Sequence, residues 1–192
     1  YFVVSIDAYK HGERLEEPYI TKESGSCLKH VPAVIKWTAL DIINLHKHHY
    51  SYFNTFDMIG VSLGGMIAYY VATKTNKVGK LVPVISTPNI IKIAEHSLRQ
   101  NGIDPSAFLG EEATKFLKSI DTVSRVDKLS YDELFILIGE KDSIVPCQDS
   151  IDFYEKYKND KMMLKIYDID HNVDREMQNE IFSFIEKQKD NQ

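Results

Sequence analysis

The chain has 192 residues, of which 43% are apolar and 27% are charged, the composition of a globular protein with one sizeable core. Its net charge of −5 argues against nucleic acid or an anionic membrane as the main partner. No apolar run approaches the ~20 residues that span a bilayer, and no signal peptide is visible. The two cysteines, Cys27 and Cys147, lack metal-ligand spacing, so we expect no disulfide framework and a reducing, cytoplasmic setting.

Short apolar runs alternate with segments of helical pattern along the whole chain. They predict strands at 2–7, 55–61, 80–85, 134–139 and 163–167. Helices are predicted at 31–48, from the turn after the second strand to about 75, at 148–157 and at 173–188. Because nearly unbroken apolar strands separated by helices are typical of parallel sheets, we predict an α/β domain over residues 1–192. Its sheet is mostly parallel and has helices on both faces.

Residues 87–130 interrupt this alternation with several amphipathic segments broken by Gly102, Pro105 and Gly110. An insertion at the carboxyl end of a sheet strand lies over the place where such sheets bind ligands. We therefore predict a small helical lid. The alternative is a set of extra helices packed against the side of the domain.

The stretch from Gly60 to Gly65 places Ser62 between glycines at a predicted strand-to-helix turn. A serine in that setting is typical of a nucleophile elbow, which presents the hydroxyl above the sheet. We expect glycine to be required at positions 60 and 64, where side chains would collide with neighbouring backbone. The alternative is a glycine-rich turn in which the serine caps the following helix.

A serine nucleophile needs a base, and the base needs an orienting acid. His171 follows the last predicted strand, and Asp142 follows the strand before it. Each also fits a plainer role, as a helix cap or a turn residue. The order Ser62, Asp142, His171 is nucleophile, acid, base. Asp170 is a competing acid, but adjacent residues rarely face each other productively, so Asp142 is preferred.

With these motifs the chain resembles the α/β hydrolases, in particular the small bacterial esterase branch related to prolyl-oligopeptidase-like hydrolases. The resemblance rests on the elbow at 60–65, the segment 139–146 and the tripeptide at 170–172. The opening segment 5–14 also resembles the D-x-x-x-H-G-x-R stretch that follows an early strand in that branch. In that stretch, His11 is expected to shape the loop rather than to transfer protons.

The resemblance implies a serine hydrolase that cleaves carboxylic esters of small to medium acyl groups, with no cofactor or metal. Ser62 would attack the carbonyl, His171 would transfer protons, and Asp142 would orient the imidazole. The backbone N–H of Leu63 would form one half of the oxyanion hole. The alternatives are a peptidase or another acyl hydrolase of the same fold, and a non-catalytic binding protein on a hydrolase scaffold. A small-molecule ester is the expected partner, and the formation of a homodimer is left as an open alternative.

The chain departs from the family pattern before the elbow. Family members usually have strands ahead of the one that opens this chain, and their third strand lies between the opening strand and the elbow strand. The loop after that third strand normally supplies the second oxyanion N–H. We therefore expect either an N-terminally truncated fold, which we favour, or direct pairing of these two strands. In the first case this chain alone would hydrolyse esters poorly.

A cluster of histidines at the end of the first predicted helix suggests a metal site at first sight. His46, His48 and His49 lack carboxylate or cysteine partners at a suitable spacing. We interpret them as a solvated helix end.

Overall fold

The computed structural model describes residues 1–14 and 26–187, with only the backbone described for residues 26–29. Its centre is a sheet of four parallel strands in the order β1-β2-β3-β4. The strands are β1 (Phe56–Val61), β2 (Val78–Val84), β3 (Glu133–Gly139) and β4 (Met162–Tyr167). Four of the five predicted strands are thus confirmed, with small shifts at their ends.

Seven α-helices accompany these strands within the described residues. They are α1 (Ser26–His49), α2 (Leu63–Ala72), α3 (Ile90–Gln100), α4 (Pro105–Phe108), α5 (Glu111–Ile120), α6 (Gln148–Tyr157) and α7 (Arg175–Glu186). A 3₁₀ turn covers Gly12–Arg14, and Val123–Lys128 forms 3₁₀ structure that is kinked at Arg125. The predicted helix 31–48 is confirmed, and it begins one and a half turns earlier than expected.

Helices cover the sheet on both faces, as predicted. On one face, side chains of α1, α2 and α6 pack with those of the strands into the larger core cluster. Helix α2 is buried along almost its whole length, because it is made of apolar and small residues with no charge. On the other face, α7 contributes Met177, Ile181 and Phe184, which pack on Val82 and Leu137. The fold class is therefore the predicted α/β arrangement.

The predicted strand at 2–7 does not form. Residues 1–8 carry no regular secondary structure, and β1 pairs with β2 alone among the described strands. Tyr1 and Val3 are each 84% exposed. A strand depends on ladder hydrogen bonds to a neighbour, and this segment has none, so its apolar sequence is not sufficient. Direct pairing of the opening segment with the elbow strand is thus not observed either.

Contacts outside any sheet hold the opening segment in place. The Phe2 ring packs against Tyr50 at 5.5 Å, and the N–H of Tyr9 donates to the hydroxyl of Thr38 at 2.8 Å. The Tyr1 hydroxyl bonds to the carbonyl of Ile185 in α7. The segment therefore runs beside α1 and reaches the end of α7 without extending the sheet.

The helices between β2 and β3 join the larger core cluster through Ile90, Leu117 and Ile120. The buried carboxylate of Asp121 accepts the N–H of Ile90 at 2.7 Å and so ties the end of α5 to the start of α3. At its other end, α3 reaches the loop after β3, where the Gln100 amide donates to the Ser143 carbonyl at 3.0 Å. The predicted lid role of residues 87–130 stays a prediction.

Candidate active site

Ser62 lies at the turn between β1 and α2, in a backbone conformation that few non-glycine residues adopt. Its φ is 52° and its ψ is −115°, and such a conformation costs about 1–3 kcal/mol unless the surroundings hold it. The Ser62 N–H donates to the carbonyl of Val84 at the end of β2, at 2.9 Å. A Cβ at Gly60 would lie 2.1 Å from the Gly64 carbonyl oxygen, so only glycine fits there.

The expectation for Gly64 is wrong, because a Cβ at that position would meet nothing within 4 Å. The second crowded glycine is Gly65, where a Cβ would lie 2.5 Å from the Cβ of Ser86 and 2.9 Å from the Gly60 carbonyl oxygen. The first turn of α2 passes directly against the end of β2. That close approach between distant parts of the chain is invisible in a local motif.

The Ser62 side chain does not cap the helix that follows it. Ser62 occupies the N-cap position of α2, but its hydroxyl makes no capping hydrogen bond. Its Oγ instead lies 3.0 Å from Nε2 of His171. The plainer interpretation of this serine, as a helix cap in a glycine-rich turn, is therefore wrong.

His171 lies between Ser62 and Asp142, on the loop that follows β4. Its Nδ1 lies 2.8 Å from Oδ2 of Asp142, on the side of the ring opposite Ser62. A proton on Nδ1 faces the carboxylate, and this tautomer leaves Nε2 free to accept the serine O–H. The three predicted side chains thus lie in one hydrogen-bonded row, in the order acid, imidazole, hydroxyl.

The carboxylate of Asp142 is held at both oxygens. Its Oδ1 accepts the N–H groups of Ile144 at 3.0 Å and Val145 at 2.8 Å, while Oδ2 faces the imidazole of His171. The side chain is 1% exposed. Because a buried carboxylate needs compensating donors, this set of three fixes both its position and its orientation.

Asp170 does not face the imidazole of its neighbour. Its Oδ1 accepts the N–H of Ser143 at 3.0 Å, the hydroxyl of Ser143 at 3.1 Å and the N–H of His171 at 2.7 Å. These bonds, the Ser143 N–H first, lower the pKa of the Asp170 carboxyl. Asp170 therefore ties the loop of Asp142 to the loop of His171. From the sequence, Asp170 was expected only as a competing acid.

Leu63 is the first residue of α2. The first N–H groups of a helix have no partner within it, and they carry the positive end of the helix dipole. The Leu63 N–H follows Ser62 directly, so it lies beside the hydroxyl that would carry the chemistry. Its role in an oxyanion hole stays a prediction.

The remaining candidates lie apart from this row. His11 faces the carbonyl of Tyr9 at 3.0 Å, within its own loop. His46 packs its ring on Phe56 at 4.7 Å. Among the described residues no group of three or more His, Cys, Asp and Glu side chains is placed to hold a metal ion. Cys147 is a free thiol, and the Cys27 side chain lies outside the described residues.

None of the helices in 1–14 and 26–187 is both long and apolar enough to cross a membrane.

No family model and no curated protein matches this sequence. Solved structures do. A protein from Thermus thermophilus, TT1662, aligns with a TM-score of 0.71 and 18% identity over 94% of this chain and 74% of its own. An acetyl xylan esterase from Paenibacillus sp. R4 aligns with a TM-score of 0.65 and 18% identity over 81% of this chain and 54% of its own. An esterase from Pyrococcus furiosus aligns with a TM-score of 0.54 and 18% identity over 79% of this chain and 58% of its own.

The chain therefore spans little more than half the length of these two esterases. At such identities the likeness concerns the fold, and the fold is shared across proteins that differ widely in sequence. The chain shares its four parallel strands and the turn that carries Ser62 with this fold, so it has the fold of the α/β hydrolases.

Proposed function

We propose that this chain is a serine hydrolase that cleaves carboxylic esters of small to medium acyl groups. The observation that carries the proposal is the hydrogen-bonded row in which His171 stands 3.0 Å from the Ser62 hydroxyl and 2.8 Å from the Asp142 carboxylate. A serine hydroxyl is a poor nucleophile at neutral pH, and a base oriented by a fixed carboxylate activates it. The three side chains come from three separate loops and meet in this row.

In the proposed reaction, Ser62 Oγ bonds to the ester carbonyl carbon as its proton moves to Nε2 of His171. The carbonyl oxygen becomes an oxyanion, and the Leu63 N–H donates to it. When the carbon–alkoxide bond breaks, His171 returns the proton to the leaving alcohol, and an acyl-enzyme remains on Ser62. Water then attacks the acyl carbon, with His171 as base, and releases the acid and free Ser62.

The choice of an ester substrate is supported by the structural neighbours of the chain. Two of its structural neighbours are an esterase and an acetyl xylan esterase. The helices of residues 87–130 would act as the lid and limit the acyl chain. The contact between Gln100 and Ser143, close to Asp142, supports their place beside the site. No metal or cofactor enters this reaction.

Hydrolysis of p-nitrophenyl acetate, butyrate and octanoate by the purified chain tests the proposal. We expect slow turnover of the short esters, a fall for Ser62→Ala to the residual rate that binding and the oxyanion donor leave, and an unchanged rate for Ser183→Ala. Ser183 is a matched control because it is an exposed serine on α7 whose hydroxyl donates to the Asn179 carbonyl in its own helix. Equal rates for the wild type and Ser62→Ala would contradict the proposal. Preference for an amide substrate would favour the peptidase alternative.

A further inference from the structure

We infer that Ser86 is a positioning residue that aims the Leu63 N–H at the oxyanion, an inference that rests on the proposed function. Ser86 follows β2 and is 2% exposed. Its hydroxyl donates to the carbonyl oxygen of Ser62 at 2.8 Å. Ser86 thus binds the backbone of the nucleophile.

The carbonyl of Ser62 and the N–H of Leu63 belong to one peptide group. Because the peptide group is planar and trans, these two bonds point in opposite directions. A donor that fixes the carbonyl therefore also fixes the direction of the N–H on the far side. A bound carbonyl also polarises its peptide, which makes the N–H a stronger donor.

The same carbonyl also accepts the first-turn N–H groups of Gly65 at 3.0 Å and Met66 at 3.2 Å. These two bonds belong to the ordinary start of α2. The bond from Ser86 comes from another part of the sheet, so it ties the elbow peptide to the end of β2. It acts together with the bond from the Ser62 N–H to the Val84 carbonyl, at 2.9 Å.

Several features of the chain bring Ser86 to this position. Ile85 has a φ of 42°, which is unusual for a β-branched residue, and its N–H donates to the Leu137 carbonyl at 2.7 Å. The fully buried Ser150 donates its hydroxyl to the Ser86 carbonyl at 2.8 Å. The missing side chain at Gly65 leaves the space that Ser86 occupies. A strained backbone held by such neighbours typically marks a functional constraint.

The test compares Ser86→Ala with Thr73→Val. Thr73 is a matched control, because its buried hydroxyl donates to the Tyr70 carbonyl at 2.8 Å at the opposite end of α2. For Ser86→Ala we expect kcat on p-nitrophenyl acetate to fall about tenfold with KM unchanged, less than the ~10²–10³ that follows the loss of a whole oxyanion donor. The pH profile keeps its shape because the row of His171 and Asp142 is intact. Because a thiol is a weaker donor than a hydroxyl, the kcat of Ser86→Cys should lie between those of the wild type and Ser86→Ala.

A second readout does not depend on turnover. In ¹⁵N–¹H spectra the Leu63 amide resonance should move in Ser86→Ala and stay in place in Thr73→Val. The inference is overturned if Ser86→Ala behaves as Thr73→Val does in either measurement on an active wild type. An inactive wild type with a moved Leu63 resonance would contradict the proposed function and uphold the positioning by Ser86. An inactive wild type with an unmoved resonance would contradict both.

Discussion

Asp142 and Asp170 lie within hydrogen-bond range of the same histidine residue, yet they bind different parts of it. Asp142 faces the imidazole, while Asp170 binds the backbone N–H of His171 and both donors of Ser143. One carboxylate thus acts on the ring electrostatically. The other fixes the loop on which the ring is carried.

We expect Asp142→Ala to cost far more activity than Asp170→Ala. Loss of the orienting carboxylate in a serine triad lowers kcat by about 10⁴-fold, because the imidazole loses its tautomer and its position. Asp170→Ala should lower kcat by no more than about 10²-fold, through displacement of the loop. Kinetics on p-nitrophenyl acetate measure both. The reverse order would assign the acid role to Asp170.

The lowered pKa of the Asp170 carboxyl predicts a pH-dependent contribution to stability. Because the pKa is lower in the folded state, ionised Asp170 stabilises the fold above its unfolded pKa. This contribution is lost as the pH falls through the folded pKa. Asp170→Asn should therefore have a lower Tm than the wild type at neutral pH, and the two values should converge in acid. A constant difference in Tm across a pH series would contradict this account.

The turn between β1 and α2 depends on two close backbone approaches. A Cβ at Gly60 would meet the Gly64 carbonyl at 2.1 Å, and one at Gly65 would meet Ser86 at 2.5 Å. Local sequence shows that glycines are present, but it cannot show which neighbours each one meets. For that reason the motif predicted the turn and the role of Gly60, and misassigned the second constrained glycine.

We expect Gly60→Ala to destabilise the chain strongly and Gly64→Ala to be tolerated. The added methyl at position 60 must displace backbone, whereas position 64 is open. Within α2, alanine in place of glycine is favourable by up to about 1 kcal/mol. Urea unfolding followed by circular dichroism compares the two variants. A Gly64→Ala protein as unstable as Gly60→Ala would show that position 64 has no room for a methyl group.

Of the predicted strands, those that form are the ones with a hydrogen-bonded neighbour in the sheet. Runs such as Leu134–Gly139 are apolar without interruption, as expected of a strand covered on both faces, and they were predictable on that ground. Residues 2–7 are also mainly apolar, with Ser5 and Asp7 as exceptions, but they have no ladder. The row of Ser62, Asp142 and His171 was predictable because each follows a strand. The role of Ser86 was not, because it depends on a hydrogen bond to a residue 24 positions away.

At the scale of the whole molecule, the face of the sheet that packs against α7 is buried at β2 but partly exposed at β1. Ile59 and Val82 are register partners on neighbouring strands. Val82 is 0% exposed, whereas Ile59 is 49% exposed. Val61, two residues along the same strand, is also 46% exposed, so this face of β1 leaves apolar side chains open to solvent. Exposed apolar groups on one face favour association with other apolar surfaces.

Ile59→Thr and Val82→Thr form a matched pair that tests this uneven cover. We expect Ile59→Thr to change the free energy of unfolding by less than about 0.5 kcal/mol, as at other surface positions. Val82→Thr buries a hydroxyl and should cost about 1–3 kcal/mol. Denaturant titrations give both values. Comparable losses would mean that the face around Ile59 is covered in solution, for example by a second copy of the chain.

Activation of Ser62 by His171 is tested most directly by the intact mass of the protein after exposure to a fluorophosphonate. This reagent phosphonylates an activated serine and releases fluoride. We expect a single adduct on the wild type and on Ser183→Ala, located at Ser62 by peptide mapping. Ser62→Ala should give none, and His171→Ala should give far slower labelling. An unlabelled wild type, or an adduct that persists in Ser62→Ala, would contradict the account.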